Sequence, residues 1–113
     1  MARIALLGTG LLGGAIGQRL LEGGHQLEVW NRTPAKSQAL LESGATAITS
    51  LPGSARDCDA VISVLRDGPA SSAVLRELGD LNSACVMSMG TMAIAESQAL
   101  EQQISNQNGD YLE

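Results

Sequence analysis

Short apolar runs alternate with longer amphipathic segments along the whole chain. Residues 3–7 form a run that is apolar after Arg3 and that a glycine ends; it is too short for a lone helix and is typical of a buried parallel strand. Residues 26–30 alternate polar and apolar side chains, as a strand with one covered face does. We predict six strands on this basis, at about residues 3–7, 26–30, 45–48, 60–65, 84–89 and 111–113.

Helical spacing of apolar residues fills the intervals between these strands. We predict helices at about residues 12–22, 35–43, 71–78 and 94–105, and a turn with one or two helical turns at 51–56. The residues expected to face the core are Ala15, Ile16, Leu20, Leu21, Ala39, Leu40, Ala73, Val74 and Leu78. Strands that alternate with helices at this spacing form right-handed βαβ units, so we expect an α/β fold with a Rossmann-type, doubly wound parallel sheet.

The last predicted strand begins only at residue 111. A natural domain rarely stops where a strand begins, because the strand would leave an incomplete sheet edge. We therefore expect residues 1–113 to be one cofactor-binding domain that is cut short at the start of its sixth strand.

Composition narrows the class of protein further. The net charge is −5 without a basic stripe, and the chain contains one Trp, one Tyr and no Phe; both facts argue against nucleic-acid binding, which needs cations or stacking platforms. No apolar run is long enough to span a membrane, so we expect a cytoplasmic protein with a small-molecule partner. Cys58 and Cys85 are isolated in apolar company, which favours buried reduced thiols over a disulfide or a metal site.

Glycines follow the first strand at positions 8, 10 and 13, the G-x-G-x-x-G spacing of a dinucleotide fingerprint. Gly8 permits the tight turn, Gly10 lets the backbone approach a pyrophosphate, and Gly13 lets the next helix pack closely. The N-terminus of that helix directs unpaired N–H groups and partial positive charge at the same place. We therefore predict a pyrophosphate site at residues 8–13.

The end of the second strand indicates which dinucleotide is bound. An NAD site usually has Asp or Glu about twenty residues beyond the glycines, but Asn31 stands here and does not repel a 2′-phosphate. Arg32 offers a planar fork to phosphate, Lys36 follows one turn later, and Thr33 can cap the helix and donate its hydroxyl. The pattern favours NADP(H) over NAD(H). An ordinary helix start with two solvated cations would have the same sequence.

Four segments together resemble the N-terminal domain of the β-hydroxyacid dehydrogenase superfamily: residues 8–13, 31–36, 59–67 and 89–92. That superfamily includes 3-hydroxyisobutyrate dehydrogenase, the glyoxylate/succinic semialdehyde reductases, 6-phosphogluconate dehydrogenase and the related imine reductases. The resemblance covers the whole chain. It implies an NADP(H)-dependent oxidoreductase that reduces a small aldehyde or keto acid, with a second, all-helical domain through which members usually form homodimers.

The resemblance also implies roles for individual residues. Residues 8–13 would hold the pyrophosphate, residues 31–36 would surround the 2′-phosphate, and residues 64–66 would pass the cofactor ribose. The cofactor-binding residues implied are Gly8, Thr9, Gly10, Leu11, Leu12, Gly13, Asn31, Arg32, Thr33, Lys36, Val64, Leu65, Arg66 and Thr91. Thr91 matches a threonine close to the nicotinamide and the substrate carboxylate, and it is the candidate catalytic residue.

Two departures from the family pattern bear on the substrate. The family's D-x-S-T motif is Ser88-Met89-Gly90-Thr91 here, so Gly90 replaces a serine that helps to bind a substrate carboxylate. Imine reductases also depart from the pattern in this region, which makes imine reduction an alternative. The family's proton-transferring lysine has no counterpart, because Lys36 is the only lysine and is assigned to the cofactor.

Three hypotheses remain from the sequence. The chain is part of an NADP(H)-dependent reductase, or it is a nucleotide-binding module without catalysis, or it keeps the fold without binding a cofactor. The 113 residues alone, without the helical domain, are expected to be inactive.

Overall fold

A computed structural model describes residues 1–65, 68–89 and 94–112 of the chain. The strands are β1 (Arg3–Leu7), β2 (Gln26–Trp30), β3 (Thr46–Ala47), β4 (Ala60–Ser63), β5 (Cys85–Ser88) and β6 (Asp110–Leu112). The helices are α1 (Leu11–Glu22), α2 (Gln38–Glu42), α3 (Gly68–Leu78) and α4 (Ile94–Asn106), and one 3-10 turn covers Pro34–Ser37. The six strands form one parallel sheet in the order β3-β2-β1-β4-β5-β6, which confirms the predicted doubly wound α/β fold.

Strand β1 lies at the centre of this sheet and is its most buried element. Four of its five residues are buried, and Ala5, Leu6 and Leu7 are fully buried, because helices cover both faces of a parallel sheet. Leu7, the last residue of β1, is in register with Trp30 at the end of β2 and with Ser63 at the end of β4. The segments that follow these three strands therefore begin side by side at one edge of the sheet.

The two faces of the sheet bury separate apolar cores. On one face, Leu6, Val29 and Ile62 pack with side chains of α1 and α2. On the other, β1, β4 and β5 pack with α3, α4 and the 48–58 segment; that core comprises Ala5, Leu7, Leu51, Ala55, Cys58, Val61, Val74, Leu75, Leu78, Leu81, Ala84, Val86, Leu100 and Ile104.

The predicted inward positions are right for the large side chains and wrong for the alanines. Ile16, Leu20 and Leu21 are half-buried against the core, and Leu40, Val74 and Leu78 are buried. Ala15, Ala39 and Ala73 are exposed. Burying a methyl group stabilises a helix orientation far less than burying a leucine, so the larger residues decide how each helix is rotated.

The connecting segments differ from the predictions in two places. The helix expected at 35–43 begins as a 3-10 turn and is regular only from Gln38 to Glu42. Residues 52–57 form turns without a helix. Among the described helices, none is long and apolar enough to cross a membrane.

Polar contacts fasten α3 to α4 at the edge of the sheet where the strands begin. The side-chain amide of Gln107 donates to the carbonyl oxygens of Leu75 (2.8 Å) and Gly79 (2.7 Å), which satisfies acceptors left open at the end of α3. Gln103 accepts a hydrogen bond from the Ser72 hydroxyl at 2.6 Å.

Neither cysteine forms a disulfide; Cys58 is buried and Cys85 is half-buried. The thiol of Cys58 lies 3.4 Å from Glu28 Oε2, and Glu28 in turn pairs with Arg3 at 3.2 Å. Burial, and next the hydrogen bond that the thiol donates to Glu28, raise the pKa of Cys58 from 9.0 to about 12.

Candidate functional site

The candidate site lies where β1 and β4 end, at the carboxyl edge of the sheet. The chain crosses from one face of the sheet to the other between these two strands, because β2 and β3 lie to one side of β1 and β4 to β6 lie to the other. In doubly wound sheets ligands bind in the crevice at this switch point. The loops around it are residues 8–10 after β1, residues 31–33 after β2 and residues 64–65 after β4.

Close packing requires glycine at two positions of the loop after β1. Gly8 has φ +102°, and a Cβ added there would lie 2.5 Å from the carbonyl oxygen of Val64. A Cβ added at Gly13 would collide with the carbonyl oxygen of Gly8. Both neighbours are backbone, so neither can move aside cheaply, and helix α1 can approach β1 only with these two glycines.

Gly10 differs from these two glycines, because packing does not require it. A Cβ built at Gly10 meets no atom within 4 Å, and its φ of −69° is open to any residue. A side chain here would project into the space above the loop. This is the space that a bound phosphate would need if it approached the backbone.

The start of α1 offers hydrogen-bond donors to that space. Gly10 is the N-cap residue and supplies no side-chain cap, and the first turn of the helix contains no acidic residue. Leu11 (97% exposed) and Leu12 (53% exposed) are the first two residues of α1, where backbone N–H groups have no partner within the helix. An anion at this position would be stabilised by those donors and by the helix dipole.

The turn after β2 presents two cations. Arg32, Thr33 and Lys36 are exposed, and neither cation pairs with a carboxylate in the part of the chain that the structure describes. The predicted cap by Thr33 is wrong: its side chain makes no capping hydrogen bond, and the turn is closed by the backbone bond from Lys36 N to Thr33 O at 3.0 Å. The Thr33 hydroxyl therefore remains at the surface beside Arg32.

A cleft of about 370 Å³ opens beside this turn, over the ends of β2 and β3. Its walls include Trp30, Arg32, Pro34, Ile48 and Thr49. Flat apolar walls with a cation at the rim suit a purine ring and its ribose substituents. Trp30, Ile48 and Thr49 were not among the predicted site residues, since they belong to a strand end and a loop without a motif.

Asn31 joins the two loops instead of pointing outward. Its Oδ1 accepts a hydrogen bond from the backbone N–H of Thr9 at 2.9 Å, and its Nδ2 donates to the carbonyl oxygen of Thr33 at 2.9 Å. The Thr9 hydroxyl lies 3.1 Å from the hydroxyl of Ser37, and both residues are buried. Ser37 was not predicted as a site residue; in the sequence it is only a serine after Lys36, within the predicted helix at 35–43.

The segments after β4 and β5 complete the edge. Val64 N–H continues the ladder to Leu7 O at 2.8 Å, and Val64 and Leu65 are half-buried on opposite faces of the sheet. The Ser63 and Ser71 hydroxyls lie 3.1 Å apart in the interior. Arg66 and Thr91, both predicted to contact the cofactor, lie outside the described residues.

The residues present fit a dinucleotide. An open backbone at Gly10, uncapped donors at the start of α1, exposed cations after β2 and an apolar cleft beside them follow one another along the sheet edge. This order along the edge fits the pyrophosphate, the ribose and the purine of one extended dinucleotide.

A family model described as the NAD binding domain of 6-phosphogluconate dehydrogenase matches residues 3–113. Among curated proteins, glyoxylate/succinic semialdehyde reductase 1 of Arabidopsis thaliana is 30% identical over 97% of the chain. The human cytokine-like nuclear factor N-PAC is 31% identical over 98% of the chain. The chain spans 40% of the length of the plant reductase and 21% of the length of N-PAC.

Solved structures show the same fold. A reductive aminase from Aspergillus terreus in complex with NADPH and ethyl levulinate superimposes with a TM-score of 0.88 and is 25% identical. The match covers 98% of this chain and 39% of that enzyme.

Proposed function

The chain belongs to the family of the NAD binding domain of 6-phosphogluconate dehydrogenase, and we propose that it binds NADP(H) in preference to NAD(H). It is an NAD(P)-binding oxidoreductase domain. The preference rests on one observation: Arg32 and Lys36 are exposed and free of carboxylate partners in the described chain, beside a strand end without Asp or Glu. An adenosine 2′-phosphate would place its charge among these groups.

Each part of the site would have a separate task in holding NADPH. The loop at residues 8–13 and the start of α1 would bind the pyrophosphate. Arg32 would bind the 2′-phosphate, and the cleft beside Trp30 would bind the adenine. The bound cofactor supplies a hydride from its nicotinamide. The chain's own residues would bind the cofactor and orient it for that transfer.

The substrate class we propose is a small aldehyde or keto acid. The relative from Arabidopsis is named as a reductase of glyoxylate and succinic semialdehyde, which supports this choice. Thr91 is the residue of this chain that we propose contacts the substrate. The proton donor is proposed to lie outside these 113 residues, because Lys36 is the only lysine and is exposed at the cofactor's adenosine side.

A second candidate is the reduction of imines. Gly90 stands where a carboxylate-binding serine is expected, so a substrate without a carboxylate would lose less here. The likeness to a reductive aminase is consistent with this substrate class. Assay of the full-length protein with a keto acid, and with a ketone plus an amine, would separate the two candidates.

Calorimetric titration of the chain with NADP⁺ and with NAD⁺ tests the proposal. We expect NADP⁺ to bind more tightly, and Arg32→Ala to weaken NADP⁺ by about 10–100-fold, since a hydrogen bond to a charged group contributes about 1.5–3 kcal/mol. NAD⁺ affinity should not change in this variant. Arg19→Ala is the matched control, because Arg19 is also exposed but lies in the last turn of α1, away from the site.

A wild-type chain with equal affinity for the two cofactors would contradict the assigned preference. An Arg32→Ala variant that weakens NAD⁺ as much as NADP⁺ would contradict the role of Arg32 at the 2′-phosphate.

A further inference from the structure

We propose that Asn31, Thr9 and Ser37 form a loop clip, which holds the glycine loop against the turn after β2, and that Asn31 is a positioning residue rather than a ligand of the ribose. The proposal rests on the proposed function in one respect, since the turn after β2 is where the 2′-phosphate is proposed to bind. It changes the role of Asn31, which the sequence places among the direct cofactor contacts.

The side-chain amide of Asn31 is engaged on both of its ends. Oδ1 accepts from the Thr9 N–H across 22 positions of sequence, and Nδ2 donates to the Thr33 carbonyl two residues ahead. An amide turned over would place Nδ2 against the Thr9 N–H and Oδ1 against the Thr33 carbonyl, so the two partners fix its orientation. Asn31 therefore links the glycine loop to its own turn through one rigid group.

The same contact withdraws one donor from the cofactor. The N–H of Thr9 is used by Asn31 at 2.9 Å, so the glycine loop must offer the pyrophosphate the donors that follow, from Gly10 onward into α1. The N–H of Thr9 therefore fixes the shape of the loop, and the N–H groups at the uncapped start of α1 are the ones that bind the pyrophosphate.

A second tie lies beneath the first. The hydroxyls of Thr9 and Ser37 are 3.1 Å apart, and the two residues are only 5% and 4% exposed. The two buried hydroxyls form a hydrogen bond with each other, and two methyl groups of the same size would fill this space without one. The backbone bond from Gly8 N to Trp30 O, at 2.8 Å, is the third connection between the two segments.

With these ties the two loops move as one body, so a change in the clip displaces the pyrophosphate site. The turn that carries Arg32 keeps its own backbone bond from Lys36 N to Thr33 O. Removing the clip should therefore weaken NAD⁺ and NADP⁺, which share the pyrophosphate, by the same factor. A residue in direct contact with the 2′-phosphate would do the opposite and change the ratio of the two affinities. Substitutions of Arg32 and Asn31, although the residues are adjacent in sequence, should therefore change the two affinities in different ways.

The test measures affinities for NAD⁺ and NADP⁺ by calorimetry in the 113-residue chain and its variants. We expect Asn31→Ala to weaken both cofactors by about tenfold with an unchanged ratio. Thr9→Val, which replaces the hydroxyl by a methyl group of the same shape, should weaken both by a few-fold. Thr9→Ser, which restores the hydroxyl, should recover the wild-type affinities.

A general loss of stability would not produce these results. Gln107→Ala is the control for stability: it removes two hydrogen bonds at the end of α3 and should lower the melting temperature without changing either affinity. All affinities are measured at a temperature where the circular dichroism of each variant matches the wild type. If Asn31→Ala does not fold, the Thr9 pair decides the question.

Each outcome distinguishes the clip from the proposed function. Unchanged NAD⁺ affinity in both Asn31→Ala and Thr9→Val, whatever their melting temperatures, would overturn the loop clip. A loss confined to NADP⁺ in Asn31→Ala would also overturn it and make Asn31 a 2′-phosphate contact. A wild-type chain that binds neither cofactor would refute the proposed function itself. An Arg32→Ala variant with an unaltered ratio of NADP⁺ to NAD⁺ affinity would refute the 2′-phosphate site. The loop clip would then still be tested by the NAD⁺ affinities of the Asn31 and Thr9 variants.

Discussion

Substitution of two glycines in one loop should separate stability from cofactor binding. In Gly13→Ala the added Cβ would collide with the carbonyl oxygen of Gly8 and lie 2.9 Å from its carbonyl carbon. In Gly10→Ala the added Cβ would meet no atom within 4 Å. The first variant should fold less stably, and the second should fold normally but bind NADP⁺ poorly.

The size of both effects follows from the contacts. Overpacking against two backbone atoms costs about 2–3 kcal/mol, the upper part of the usual range, and the better helix propensity of alanine offsets about 1 kcal/mol of this at Gly13. The net loss is then about 1–2 kcal/mol, which lowers the melting temperature of a chain of 113 residues by about 4–8 °C. At Gly10 only the weaker N-cap preference of alanine acts, so the shift should stay below about 4 °C.

The two variants are compared by thermal unfolding, followed by circular dichroism, and by calorimetric titration with NADP⁺. We expect Gly10→Ala to lose at least about tenfold in affinity, because its methyl group occupies the space through which the pyrophosphate approaches. An unchanged affinity would refute the close approach of a ligand to residue 10. An unchanged melting temperature in Gly13→Ala would refute the packing of α1 against Gly8.

Three further results are expected. Folding raises the pKa of the Cys58 thiol from 9.0 to about 12, so the free energy of unfolding should fall as the pH rises through that range. In urea unfolding, Cys58→Ala should show a shallower decline with pH. Gln107→Ala should destabilise the chain by about 1–2 kcal/mol in urea unfolding, whereas Gln102→Ala, which loses one exposed bond within α4, should change it little; equal losses would contradict the role of Gln107 at the end of α3. Gly17→Ala should cost less than Gly13→Ala in the same assay, since its Cβ would press on the movable Leu40 side chain at 2.8 Å and not on backbone.

The doubly wound parallel sheet was predictable from local pattern. The apolar run of β1, the glycines after it and the alternation of β2 are encoded within about thirty residues, and right-handed crossovers then require the carboxyl ends to meet. Helix rotation was less predictable where small residues were involved. Ala15, Ala39 and Ala73 fit the helical period, but the burial of neighbouring leucines decides which face turns inward.

The interior of the site was not predictable, because its contacts join residues far apart in sequence. Ser37 has no motif, yet its hydroxyl meets Thr9 across 28 positions of the chain. Trp30 ends a strand whose alternation indicates only that its face is partly covered, and the cleft beside it is completed by Ile48 and Thr49 from another segment. Spacing along one element contains no information on such pairs.

Asn31 shows why a residue type at the end of β2 is weak information about the cofactor. Thr9 is the second residue after the central strand and is only 5% exposed, so its N–H needs an acceptor from the protein. Asn31 Oδ1 is that acceptor, and an aspartate at the same place could accept the same bond. The requirement comes from the sheet and holds whether or not a 2′-phosphate is present. The cofactor preference is therefore better inferred from Arg32 and Lys36, whose side chains are exposed and have no comparable duty in the fold.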